Sequence, residues 1–252
     1  MIGKTESMRR TEVLLVLGVS LGQSAVYSIV DLAGKLTASK PLSAQSTILN
    51  PSQASGRPWL DLSFQLVGIF FGMVPAFLAI HLLDQDGDAS PDPIGWGARR
   101  FGFDIGSGAA LAAVIGMPGL AFYFASKALG INTMVVPEAL PWVWWTVPVL
   151  LLAAIQNALL EEVVVVGYLM TRLREMEWRA PMIVIASALL RGSYHLYQGF
   201  GGFIGNSVMG GVFALFFLRF KRVGPLIIAH AILDTVAFVG YALLKDRLPF
   251  LR

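Results

Sequence analysis

Glu161, Glu162, Arg191, His195, His230 and Asp234 stand in stretches that are otherwise almost wholly apolar. The two glutamates are adjacent, between the apolar run "NALL" and four consecutive valines, with no Lys or Arg until Arg172. An ionised carboxylate in such surroundings is costly to desolvate, so a pair of them calls for partners, protonation or a task. Carboxylates and imidazoles gathered at membrane depth suit activation of water by a general base, ligation of a metal, or relay of protons. His230 and Asp234 are four residues apart and share one face of a helix. Adjacent helical residues differ in direction by about 100°, so Glu161 and Glu162 are not expected to aim at one water.

The elements that must hold these groups are membrane helices. Of 252 residues 56% are hydrophobic and 14% charged, with a mean hydropathy of +0.67, whereas soluble domains carry about 25% charged residues. Seven apolar segments qualify as spans: 13–30, 62–83, 105–129, 142–170, 181–196, 203–218 and 225–244. The expected fold is an all-α polytopic transmembrane helix bundle of about seven to eight spans, forming one integral membrane domain over 1–252. The glycine-rich turn "YQGFGGFIGN" leaves the count open, since a re-entrant turn there changes it; this turn contains Asn206, a candidate supporting residue. Polar stretches 31–58 and 84–93 read as flexible loops.

Orientation follows from the positive residues of the loops. One set of loops holds Lys4, Arg9, Arg10, Arg99, Arg100, Arg172, Arg174, Arg179, Arg219, Lys221 and Arg222; the other holds Lys35, Lys40, Arg57, Lys245, Arg247 and Arg252. The richer set belongs inside, which puts the N-terminus in the cytoplasm. Measured from that side, Glu161 lies roughly 16 Å, His195 about 21 Å and His230 nearer 8 Å along their helices. These groups are therefore expected to converge on an intramembrane polar chamber opening towards the cytoplasm.

Several chemistries are excluded. Absence of cysteine removes disulfides, thiolate nucleophiles and Cys-ligated metal. No zinc-protease "HExxH" occurs, because the three histidines stand in "HLLDQ", "HLYQG" and "HAILD"; "GNSVMG" around Ser207 is only a loose approximation to a rhomboid-like serine site. A net charge of +3 spread among the apolar segments gives no nucleic-acid surface.

What remains, in chain order, is Glu161–Glu162, His195 after "LLRGSY", and His230 with Asp234 in "HAILD". This order resembles the CAAX protease and bacteriocin-processing (CPBP, or Abi) family of intramembrane proteases, related to the endoprotease that trims prenylated CAAX proteins. Its motifs are Glu-Glu-x-x-x-Arg, Phe-x-x-x-His and His-x-x-x-Asn or Asp, and the resemblance covers the motif-bearing helices within 142–244. Two positions depart from it: Val166 stands where the first motif has Arg, and Arg191 where the second has Phe. A guanidinium lost from one helix and gained on another reads as a relocation, with Arg191 serving the acidic pair.

The resemblance implies an intramembrane endopeptidase in which Glu161 is the general base, acting with His195 on water. It also makes His230 an oxyanion donor, with Asp234 orienting its imidazole, while Glu162 is structural and pairs with Arg191. No obligatory cofactor is expected; if a divalent metal such as zinc is used, Glu161, His195 and His230 are its ligands. The partners implied are the lipid bilayer and a hydrophobic or membrane-anchored peptide or protein substrate, and the location is a bacterial cytoplasmic membrane. The residues alone leave two alternatives open: a non-proteolytic scaffold of the same fold, and a small proton-coupled transporter.

Overall fold

The computed structural model describes residues 5–85, 92–97, 100–245 and 247. Lys4, Arg99 and Arg252 of the orientation argument, and most of the acidic turn, lie outside them. The helices are α1 (Glu6–Gly18), α2 (Leu21–Leu36), α3 (Pro58–Asp84), α4 (Phe101–Ala128), α5 (Thr146–Glu161), α6 (Leu169–Glu175), α7 (Ala180–Ser193), α8 (Phe200–Phe220) and α9 (Gly224–Leu244). A π-helical segment, Glu162–Tyr168, joins α5 to α6, so that Thr146–Glu175 is one continuous rod. The chain is thus a polytopic all-α bundle.

Its span count differs from the sequence reading. Among the described residues, five helices are long and apolar enough to cross a bilayer: α3, α4, the α5–α6 rod, α8 and α9. The first expected span makes a sixth only as a bent pair, because α1 and α2 meet at 53°. Ser20 leaves helical geometry there (φ −143°, ψ −127°) and its hydroxyl turns back to the Val16 carbonyl at 2.5 Å. A Cβ at Gly22 would stand 2.8 Å from the Leu17 carbonyl oxygen, so glycine is what permits α2 to start so close to the preceding turn. The fifth expected span is only the 14-residue α7, roughly 21 Å of helix against a hydrocarbon core of about 30 Å. It ends before His195, which lies in the following 3-10 turn region rather than inside a spanning helix.

The α5–α6 rod forms the centre. Val163, Val164, Val165 and Val166 are fully buried in the main hydrophobic cluster, with α3, α7, α8 and α9 packed around the rod. Phe70, Phe71, Val114 and Met117 on the outer helices face outward, as lipid-facing side chains do.

The two ends are tied differently. At the basic end, Arg222 bonds Asp104 at 2.7 and 2.6 Å and the Gly97 carbonyl at 2.8 Å, joining the α8–α9 turn to α4. The Asp104 hydrogen bonds hold its guanidinium charged beyond the ordinary arginine range. At the opposite end lies the connector between α2 and α3. Its polar side chains read as a flexible loop, yet they satisfy backbone groups and order it. Strand β1 (Ser46–Ile48) pairs in parallel with β2 (Met134–Val136), Thr47 opposite Val135. Gln45 Nε2 donates to the carbonyls of Lys35 and Lys40 at 2.8 Å each, and the Thr47 and Thr133 hydroxyls are 2.8 Å apart.

Candidate active site

Glu161 is the last residue of α5 and Glu162 the first of the π segment. Single π turns recur at functional sites, and a run of β-branched valines weakens the preference for regular α-helix here. The two carboxylates, expected to diverge, instead bring oxygens together with a His230 nitrogen within 4.8 Å of one another. Their surroundings still separate them. Glu162 is fully buried, whereas Glu161 lines a cavity of about 730 Å³.

Glu162 is held by cations and donors. Arg191, in the last turn of α7 and fully buried, donates from Nη2 to Glu162 Oε1, and its Nη1 stands 3.8 Å from Glu161 Oε2. The guanidinium also lies 5.3 Å from the centroid of the Phe213 ring on α8, a cation–π contact. Glycine at 210 makes this approach possible, because a Cβ there would come within 3.0 Å of Arg191 Cδ. From α9, His230 Nδ1 donates to Glu162 Oε1 at 2.7 Å; an ionised carboxylate only accepts, so Nδ1 carries the proton. His230 Nε2 is 3.6 Å from Asp234 Oδ2, beyond hydrogen-bond reach. The imidazole is therefore oriented from Glu162, and Asp234 instead accepts from Asn157 Nδ2 of α5 at 3.3 Å.

Glu161 has a different set of neighbours. The Tyr194 hydroxyl donates to its Oε2 at 2.8 Å, Oε1 takes no hydrogen bond among the described residues, and the residue lines the cavity. His195 donates from Nδ1 to the Arg191 carbonyl at 2.9 Å, which leaves Nε2 as the bare nitrogen of the neutral ring, on the same cavity. Asn206 also lines it, but from within α8 rather than from a turn, with its amide on the Gly202 carbonyl at 2.9 Å.

The cavity's walls also include Ser24, Tyr27 and Ser28 of α2, Leu49 of the connector, Tyr197 and Gln198 of the 3-10 turn, and Phe238 of α9. These residues lie towards the connector end. The chamber thus runs to that end and not towards Arg172 and Arg222, as the helix counts implied. The cause is α7, which is too short to span and carries His195 past its own end. Tyr194, Asn157 and Ser28 were not identified from the sequence. Asn157 stands one turn before Glu161 on the same helical face, and Tyr194 adjoins the motif histidine, so their spacing held the signal.

Residues 143–236 match the family model for type II CAAX prenyl endopeptidase, Rce1-like. Over this segment the chain is similar to the CAAX protease family. The matched segment runs from just before α5 through Asp234, and so contains every residue of the Glu161 and Glu162 clusters described above, leaving α1 to α4 outside it. Searches of the curated proteins and of the solved structures find no match to the chain. The family is a protease family, and the chain is an integral membrane protein by its helices.

Zinc fits this cluster poorly. The groups that converge are Glu161, Glu162 and His230, without His195 of the expected set. Glu162 Oε1 already accepts from the guanidinium and from His230 Nδ1, so that oxygen and that nitrogen are not free to ligate. A divalent ion there would also face the Arg191 cation 3.8 Å from Glu161.

Proposed function

We propose that the chain is an intramembrane endopeptidase that hydrolyses a peptide bond of a membrane-associated or hydrophobic peptide with water activated by Glu161 and His195. One observation carries this reading: Glu161 and His195 line one cavity, with Glu162 and Arg191 packed behind and His230 beside them as a neutralising base. Water bound between the two acceptors loses a proton to Glu161 as its oxygen attacks the scissile carbonyl. His230, carrying a proton on both nitrogens between the Glu162 and Asp234 carboxylates, donates from Nε2 to the oxyanion. Glu161 then returns the proton to the leaving nitrogen as the C–N bond breaks, giving a carboxylic acid and an amine.

Arg191 takes the place of the family motif's arginine, absent at Val166, so the acidic pair keeps its cation. We infer that the N-terminus is cytoplasmic, because the loops at the basic end hold the excess of Lys and Arg. The cavity then faces the outer half of the membrane.

The test uses purified protein in proteoliposomes with internally quenched peptides, one prenylated at a CAAX cysteine and one a hydrophobic segment without lipid. Cleavage of either by the wild type and not by Glu161→Gln is the expected result. Equal cleavage by the variant, or none of either peptide by folded wild type, contradicts the proposal.

A further inference from the structure

Both donors that approach Glu161 converge on one of its oxygens. The Tyr194 hydroxyl donates to Oε2 at 2.8 Å and Arg191 Nη1 stands 3.8 Å from the same atom, while Oε1 takes no hydrogen bond among the described residues and Glu161 lines the cavity. The terminal torsion of a glutamate is broad, so an untethered carboxylate presents either oxygen in many orientations. One bonded through Oε2 presents Oε1 alone.

Tyr194 is itself fixed from three sides. It caps the C-terminus of α7 and is 4% exposed. Its ring lies against His195 with centroids 4.8 Å apart, and its carbonyl accepts from Ser28 Oγ of α2 at 2.9 Å. Ser28 is buried and lies outside the segment that matches the family. Packing alone does not account for a tyrosine here. Phenylalanine fills the same space, and a buried phenol adds a hydroxyl that must find an acceptor.

We propose that Tyr194 is a positioning residue: its hydroxyl holds Glu161 through Oε2 so that Oε1 is the oxygen aimed at the water, and Ser28 holds the Tyr194 backbone. The inference rests on the reading of Glu161 as general base. It makes α2 part of the working site, although α2 carries none of the three motifs.

The experiment has two arms, both on the full chain in detergent. In the first, dicyclohexylcarbodiimide, which adds to uncharged carboxyl groups in apolar settings, is applied at neutral pH and adducts at Glu161 are quantified by peptide mass spectrometry. Tyr194→Phe removes a donor to the carboxylate, and labelling of Glu161 rises about tenfold. Tyr123→Phe, at the connector end and away from Glu161, leaves it at the wild-type level. In the second arm, with a prenylated CAAX peptide, Tyr194→Phe lowers kcat about 10- to 100-fold with KM and melting temperature unchanged, as loss of an orienting partner does. Ser28→Ala moves the same parameter less. Unchanged labelling in Tyr194→Phe, or a rise in KM with kcat intact, overturns the role. Absence of turnover by the wild type counts against the peptidase reading only, and the labelling arm still decides the place of Tyr194.

Discussion

Arg172 and Arg191 are both fully buried, yet they are different kinds of residue. Arg172, at the basic end, donates to Glu12 at 2.8 Å, to Glu175 at 2.8 Å and to the Leu82 carbonyl at 2.8 Å, and its guanidinium lies 5.5 Å from the Tyr168 ring centroid. It ties α1 and α3 to α6. Arg191, beside the cavity, makes its hydrogen bond to Glu162, and its Nε and Nη1 are buried without a hydrogen-bond partner. Buried polar atoms are nearly always satisfied, so the orphaned ones mark a place where something other than stability sets the arrangement. One guanidinium is a staple. The other is a counterion to two carboxylates that a stable core would not contain.

This contrast can be broken by activity first. Glu161→Gln and His195→Ala each lower cleavage by about 100- to 10,000-fold, the range of general-base contributions, with melting temperature retained. Glu12→Gln, at the Arg172 node, leaves cleavage per folded molecule at the wild-type level. Loss of cleavage in the second variant and not the first would reverse the assignment of the two nodes.

Stability sharpens it next. Arg191→Met leaves Glu162 buried without its cation and destabilises by about 3–5 kcal/mol, and adding Glu162→Gln recovers part of that loss, so the double variant costs less than the sum of the singles. Strict additivity in thermal or denaturant unfolding would show that the two side chains do not interact. For Arg172→Met the loss is smaller, about 1–3 kcal/mol, because Glu12 and Glu175 keep 12% and 28% of their side-chain surface exposed and water replaces the cation.

The smallest effect is that of metal removal. Treatment with a zinc chelator leaves cleavage unchanged, since the Arg191 cation already stands against both carboxylates. Loss of activity on chelation, restored by zinc, would contradict the water-only chemistry proposed for Glu161.

How far the sequence carried these conclusions differs between the same regions. The long helices were legible because runs of apolar residues have few other fates, and the Glu162–Arg191 pair was legible because a charge at membrane depth must be answered by another. The break between α1 and α2 was not, since Ser20 is an ordinary residue whose backbone departs from helix only where the neighbouring elements demand it. Nor was the early end of α7, where the Tyr194 carbonyl accepts from Ser28, a contact across 166 residues. The strands β1 and β2 have three residues each, too few for alternation to register, and their pairing joins segments far apart in the chain. The π segment left only the four valines as a trace. Consequently the long helices α5 to α6, α8 and α9 were anticipated, while the early end of α7 and the end towards which the cavity runs were not.

The most direct measurement compares the new protein N-termini in membranes of cells producing the wild type, Glu161→Gln or His195→Ala, by mass spectrometry of labelled amino termini. Glu161-dependent hydrolysis predicts a set of N-termini within or beside hydrophobic segments that is present with the wild type and missing with both variants at equal protein levels. The same set appearing with Glu161→Gln would contradict the assignment of that residue as the base.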